Sequence, residues 1–482
     1  ATPVTDGVLS FGQMSDIHYF PVEYCYPEDK ADYADSDFYH STTGDTKLVT
    51  ESGAILKAHI EEFIDDAKAG SAPHYLFATG DLSKNGERAA LIDVANALRH
   101  LQNEVRKEEG YENFQVFVIQ GNHDLYNGSG SLYRETDGSG YVAETVTSGQ
   151  FALIFAGLGY PDIDYSILRT VYPEEYWSSS YTEEYATDTA GYVVSSTAST
   201  VNIEYYSAHL TAMAQSGFIA SDFAAMFDGA NINSLSYHVT LTNDTGYGFF
   251  VLDGTDREKT EDFVPVRVGE KEYSLISADA DLTFHVGNAD GSISETAASE
   301  EEIAAALAEG NLYVNSGYDH ITGGRLTEGL LVWMRESIEP DRTYVAAYHF
   351  NVLPHFEQED DILKDFVFYN WEYIAKEFLE MGVRYGISGH MHASDVTYYT
   401  DAAGRTFYDI QTGSSVSYAS PRRYMTITPY ELAGGKTGEQ FASSLHILTS
   451  FEGMTGTDDY NDYINSKIYG TLVERIVEHF VT

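Results

Sequence analysis

The chain has 482 residues, with 75 Asp and Glu against 27 Lys and Arg and a formal charge of −48. So acidic a surface argues against nucleic acid or anionic membrane as partners, because binding either depends on Lys and Arg neutralising phosphates. The 43% apolar and 14% aromatic content argues against disorder, and the length exceeds what one small core serves. Val8–Met14 reads as a strand running into Asp16. Leu56, Ile60, Phe63, Ile64 and Ala67 recur at helical spacing, so Gly53–Lys68 reads as a helix. His74–Thr79 reads as a strand ending at Gly80-Asp81, Glu87–Lys107 as an amphipathic helix, and Gln115–Ile119 as a strand entering Gly121-Asn122-His123-Asp124. The alternation predicts an α/β core with polar residues in loops at strand C-terminal ends, where open α/β sheets place their sites.

Residues 126–232 break this rhythm and read as an inserted cap, rich in Gly, Ser, Thr and Tyr, with Phe151–Gly157 and Tyr205–Met213 as helical pieces. Strands resume at Ser234–Thr240 and Gly248–Asp253, before a second insertion at 255–324 that includes an Ala-rich helix, Glu300–Glu309. Thr343–His349 reads as a strand, Phe366–Met381 as a helix, and Tyr385–Ser388 as a strand leading into Gly389-His390-Met391-His392. Val396–Thr400 and Thr406–Thr412 read as a hairpin. Residues 430–482 read as a helical C-terminal extension, its apolar face carried by Ile464, Ile468, Leu472, Val473, Ile476 and Phe480. The single Cys25 permits no intrachain disulfide, and no apolar run approaches the ~18 residues of a membrane span. A start at Ala1 with a polar leader is what a secreted protein shows after signal-peptide removal, so a secreted or cell-surface location is expected.

Five short motifs carry the chemistry: Asp16-Ile17-His18, Gly80-Asp81, Gly121-Asn122-His123-Asp124, His349, and Gly389-His390-Met391-His392. Asp, Asn and His make a hard-to-borderline ligand set, suited to divalent Mn, Fe, Zn, Co or Ni. A lone Asp-x-His is common by chance; five such motifs at strand ends are not. A shared carboxylate can join two metals for phosphoester hydrolysis, and Asp81, released from a strand end by Gly80, is assigned that bridge. His349 is preferred to His355 because it directly follows an apolar strand, whereas His355 lies six residues out. Arg422 and Arg423 read as a loop pair, either surface ion pairs or a bidentate phosphate contact, with Arg423 as the substrate-binding candidate.

The order and content of these motifs resemble the calcineurin-like metallophosphoesterases over roughly 8–125, 233–254 and 325–429. Asn233-Ser234-Leu235-Ser236-Tyr237 and Asp409-Ile410-Gln411-Thr412-Gly413-Ser414 look like a secreted or cell-surface bacterial branch. Phe350 departs from the pattern, in which a second His follows His349. The resemblance implies a metallophosphoesterase domain over 8–429, an α/β two-sheet sandwich with flanking helices that carries both insertions. It also implies two divalent or trivalent transition metal ions (Mn, Fe or Zn). One would take Asp16, His18, Asp81 and His392, the other Asp81, Asn122, His349 and His390. A bridging hydroxide would attack phosphorus, and His123 would protonate the leaving oxygen or steady the phosphoryl group. Asp124 would accept from the second ring nitrogen of His123, or else only cap the turn that follows.

The expected activity is hydrolysis of a small-molecule or cell-envelope phosphoester, with a diester favoured. One alternative is a 5′-nucleotidase-like monoesterase. Against it, the Gly-Asn-His-Asp motif lacks the longer Glu-containing nucleotidase form, and about 90 residues after His392 are few for a base-binding domain. The other alternative, a non-catalytic surface or assembly protein, is opposed by the completeness of the ligand set.

Overall fold

The computed structural model describes residues 2–3, 7–42, 45–125, parts of 127–160, 197–198, 235–241, 246–255, the backbone of four strands between 264 and 297, most of 323–369, 371–433, 436–457 and 459–469. Among these, β1 (Leu9–Met14), α1 (Ser52–Lys68), β2 (Tyr75–Thr79), α2 (Arg88–Val105) and β3 (Gln115–Ile119) form the first half of the core. The second half comprises β4 (Tyr237–Thr240), β5 (Tyr247–Val251), α3 (Glu328–Ser337), β6 (Thr343–Ala347), α4 (Trp371–Glu380), β7 (Val383–Ser388), β8 (Asp395–Thr400) and β9 (Thr406–Gln411). It is followed by β10 (Pro421–Leu432) and β11 (Lys436–Ile447).

Two mixed sheets result. In the first, β1, β2 and β3 run parallel, and β10 joins β1 antiparallel. In the second, β5, β6, β7 and β9 run parallel in the order β9-β7-β6-β5, closed by antiparallel β8 and β4 at its two sides. β2, β3 and β5 are buried along their whole length, as their largely apolar runs demand. Between the sheets Phe249 of β5 meets Phe77 of β2 at 4.9 Å and Phe11 of β1 at 6.2 Å between ring centres. α1 and α2 contribute Phe63, Leu91, Val94 and Leu98 to the same core. A second core, with Tyr348, Ile374 and Phe378, seats α3 and α4 against the second sheet. The chain is therefore a two-sheet α/β sandwich with flanking helices, as the family resemblance implies. Parallel neighbours bring the C-terminal ends of β1, β2 and β3 together, and those of β6 and β7 likewise; every polar motif leaves from one of these ends.

Three expectations need correction. Residues 430–482 are not a purely helical extension: Leu432 ends β10, and β11 pairs with that strand along all twelve residues, from Pro421↔Ile447 to Leu432↔Lys436. The turn Gly434-Gly435 between alternating runs was a hairpin signal. Helix is confined to Tyr460–Ile464 and the wider turn Asn465–Tyr469 among the described residues, and the rest of the predicted tail helix lies outside them. Arg422 and Arg423 stand in β10, not in a loop. The second insertion, in which only a helix was expected, holds a four-stranded antiparallel sheet: Val264–Val268, Lys271–Ala278, Asp281–Gly287 and Ile293–Ala297. Alternation of Leu282, Phe284 and Val286 was its sequence signal. The helices expected at Tyr205–Met213 and Glu300–Glu309 lie outside the described residues, whereas helical residues do occur within Phe151–Gly157.

Candidate metal centre

Each polar motif begins where a parallel strand ends, and the backbone there is strained. Asp16 (φ 50°), His18 (φ 43°), Asp81 (φ 47°), His390 (φ 64°) and His392 (φ 55°) all occupy the left-handed region. Non-glycine residues rarely enter it, at a cost of order 1–3 kcal/mol each, and such strain collects at functional sites. Neighbouring strands hold the loops in this shape. The amide of Asp16 donates to the Gly80 carbonyl at 3.1 Å, that of His18 to Asp81 at 2.8 Å, and that of Gly389 to His349 at 2.9 Å. Two glycines are there for space. A Cβ at Gly121 would stand 2.2 Å from the Asp81 carboxylate, and one at Gly389 would stand 1.8 Å from Ser15 Oγ.

The side chains converge in two groups. Asp16, His18, Asp81 and His392 each offer one ligand atom, all within 4.8 Å of one another, and Asp81, His349 and His390 form a second such set. Asp81 belongs to both. Asn122 joins the second, its Oδ1 lying 2.9 Å from His349 Nε2. His18 Nε2 and His392 Nε2 stand 3.0 Å apart, and His390 Nδ1 and His349 Nε2 3.1 Å apart. Two nitrogens bound to one metal at about 2.0–2.1 Å would be separated by about 3 Å, so both pairs have the spacing of shared ligands. Asp16 Oδ1 is buried without a hydrogen-bond partner and lies 3.3 Å from His392 Nε2. A buried carboxylate oxygen left bare is costly, and a cation removes the cost. The donor set fits metal at both positions.

The charges agree. Burial opposes ionisation of Asp81, yet His349, His123 and His18 hold it well below the usual carboxylate range. Burial likewise opposes Asp16, and His392 and His349 bring it below its ordinary value. Burial keeps His18 and His390 well below the usual imidazole range, so both are neutral with lone pairs to give. His349 behaves differently. Burial would lower it, but Asp81 and Asp16 push it up to about 9. Its Nδ1 faces the Thr79 carbonyl at 2.8 Å, which leaves Nε2 for the centre.

Other expected residues fall into two classes. His123 Nδ1 donates to the Lys84 carbonyl at 2.6 Å, and Nε2 lies 3.9 Å from Asp81 Oδ2. His355 lies apart from both groups, with Nδ1 3.1 Å from Asp395. Asp124 does not accept from His123. Its carboxylate takes the amides of Gly121, Leu82 and Ser83 and the Ser83 hydroxyl, and burial, then Asp81, push it up to about 6. It fastens the second motif to the third. Arg423 is 5% exposed and spends its guanidinium on Thr412 Oγ1, Ser443 Oγ and the Gln411 carbonyl, which takes it out of phosphate binding. Arg422 pairs with Glu62 and Asp66 on α1.

Sequence reading missed the support beneath these ligands. Gln13 Nε2 donates to Thr79 Oγ1 at 2.8 Å and to the Ser388 carbonyl at 2.7 Å, tying the two sheets together behind the site. Ser15 Oγ donates to Asp16 Oδ2 at 2.6 Å, and Ser414 Oγ to the Asp16 carbonyl at 2.8 Å. Phe350 and Phe366 bracket the His390 ring at 4.4 and 4.5 Å between centres, so the residue that departs from the family pattern packs against a candidate ligand. The Gln13 and Ser414 contacts had no local signal, since each partner is distant in sequence.

Residues 9–186 match the family model of the calcineurin-like phosphoesterases. Among solved structures, a phosphopantetheinyl hydrolase from Mycobacterium tuberculosis aligns at 11% identity over 85% of this chain and 91% of that one, with a TM-score of 0.23, too low to bear on fold or substrate. Comparison with curated proteins gives no match.

Proposed function

We propose that this chain, which carries a calcineurin-like phosphoesterase domain and is a metal-dependent hydrolase of phosphoester bonds, is a phosphodiesterase working with two metal ions. The sharing of Asp81 between two clusters of buried and half-buried donors is the observation that carries the two-metal reading. Asp16, His18, Asp81 and His392 would hold one ion, and Asp81, Asn122, His349 and His390 the other. Bound metal supplies a lowered water pKa and a Lewis acid toward the phosphoryl oxygens. Mn, Fe and Zn suit the donor set.

The residues of the chain supply the rest. Ionised Asp16 and Asp81 balance part of the cationic charge, and the strained loops hold the donors ready so that little reorganisation accompanies the reaction. His123, about a third exposed at the side chain and with Nε2 toward the centre, is placed to give a proton to the departing alkoxide. A monoanionic diester suits a site whose nearby arginines, Arg422 and Arg423, are committed inside the fold. The insertion at 126–232 would form a wall for the organic part of the substrate. In support, Asn127 Nδ2 donates to the His123 carbonyl at 3.0 Å, so the segment leaves from the rim of the site. The strongly acidic composition disfavours a nucleic acid and accords with a small-molecule or cell-envelope substrate.

The test is metal analysis of protein purified without added metal and again after saturation, paired with hydrolysis of bis(p-nitrophenyl) phosphate and p-nitrophenyl phosphate. Two metals per chain and faster diester hydrolysis are expected. One metal at saturation would end the two-metal reading, and preference for the monoester would favour a monoesterase.

A further inference from the structure

The catalytic reading leaves Glu87 unused, although it is fully buried beside the site. It stands between the loop that follows Asp81 and α2. Its Oε2 accepts from the Asn85 amide at 2.8 Å, and the backbone amides of Glu87 itself and of Ser131 also face the carboxylate. Its backbone bridges to Thr145. Burial pushes its carboxyl up to about 7, with the Asn85 amide and then Lys84 pulling the other way. An apolar residue at this position would avoid that cost, so a buried carboxylate here invites a reason.

The reason lies two residues upstream. The loop from Ser83 to Glu87 is held at both ends. At one end the Ser83 hydroxyl donates to Asp124 at 2.8 Å and accepts from the Gly86 amide at 3.0 Å. At the other end Glu87 takes the Asn85 amide. Between these ties lies the Lys84 carbonyl, the acceptor for His123 Nδ1 at 2.6 Å. That bond makes Nδ1 a donor and turns Nε2 toward the centre, where it carries a proton in the imidazolium form. The carbonyl can do so only if the peptide joining Lys84 to Asn85 keeps its orientation. The Asn85 amide belongs to that same peptide, so the Glu87 carboxylate holds one side of the plane whose other side holds His123.

We propose that Glu87 is a positioning residue for His123, acting through the Lys84–Asn85 peptide. The proposal rests on the reading of His123 as the proton donor, and it makes the loop after the second motif, and not Asp124, the element that aims the imidazole. A positioned acid matters most when the leaving group is a poor one, and is typically worth about 10²–10⁴-fold in rate. Loss of positioning should therefore be selective by leaving group, which simple loss of folded protein is not.

The experiment compares bis(4-nitrobenzyl) phosphate, whose alcohol leaves poorly, with bis(p-nitrophenyl) phosphate, on the metal-loaded full chain. Glu87→Ala is expected to lower kcat for the benzyl ester by about tenfold or more while the aryl ester stays within about threefold, with metal content unchanged. Glu87→Gln keeps an acceptor for the Asn85 amide and is expected to restore the benzyl activity. Equal losses on both esters, no loss on either, or failure of Glu87→Gln to restore would overturn the proposal. His123→Asn is the control that separates the two ideas. If it too fails to discriminate between esters, the proton-donor reading falls. If it discriminates and Glu87→Ala does not, only the role of Glu87 falls.

Discussion

The two halves of the candidate metal centre are built by different means. The group containing Asp16 and His18 is held by hydrogen bonds: Ser15 Oγ and the His390 amide to the Asp16 carboxylate, and Ser414 Oγ to its carbonyl. The group containing His349 and His390 relies more on packing, with Phe350 and Phe366 on the His390 ring and His349 wholly buried and held through Nδ1 by a hydrogen bond to the Thr79 carbonyl. A carboxylate must have its charge answered, so its surroundings are polar and directional. A neutral imidazole such as His390 needs only its orientation fixed, and aromatic rings do that while keeping the surroundings apolar and the lone pair unprotonated. Asp81 joins the halves, and the two should therefore respond differently to every change except one at Asp81.

Asp81→Ala should have the largest effect. It removes a ligand from both groups, and a loss of several kcal/mol of charge stabilisation corresponds to at least about 10³-fold in kcat/KM. Metal analysis should show both positions emptied or one weakly held; full retention of two ions would break the picture of a shared carboxylate. Next comes His349→Ala, which should abolish turnover and weaken only the second position, while His355→Ala, altering a residue tied to Asp395, keeps two metals and activity. The reverse pattern would move the second group onto His355.

A pH titration sharpens the contrast. His349 is pushed up to about 9 without metal, so a cation entering the second group must displace its proton. Apparent affinity there should rise about tenfold per pH unit up to about 9 and then level off. His18 needs no such displacement, because burial already keeps it neutral. Competitive metal titration from pH 6 to 9 checks this, and equal pH slopes at the two positions would contradict it. The smallest effects belong to the supports. Phe366→Ala should weaken the second metal about tenfold and spare the first, at the low end of the range for outer contacts to metal ligands, and Ser414→Ala, whose bond is to the Asp16 backbone and not to its carboxylate, should do the opposite by less than about tenfold. Calorimetry on each variant reads both, and a shared loss would show that the halves are not separately braced.

The sequence by itself determined the alternating α/β core, the strand ends from which the motifs leave, and which side chains can bind metal. Those follow from period-two and period-3.6 patterning and from donor chemistry, both local. Preference for His349 over His355 was also local, since an apolar strand runs straight into the former. Only the tertiary structure decided how the donors pair across chain segments more than 300 residues apart, as His18 does with His392. It alone put Asp16, His18, Asp81, His390 and His392 in left-handed backbone, which Asp and His tolerate better than most residues but which neighbouring strands must impose. It also reassigned the polar residues whose type was ambiguous. Arg423 looked like a phosphate ligand and Asp124 like a partner for His123, because a charged side chain carries the same label in either role. Burial in β10 and three backbone amides settled those two, through contacts between segments that no local pattern encodes.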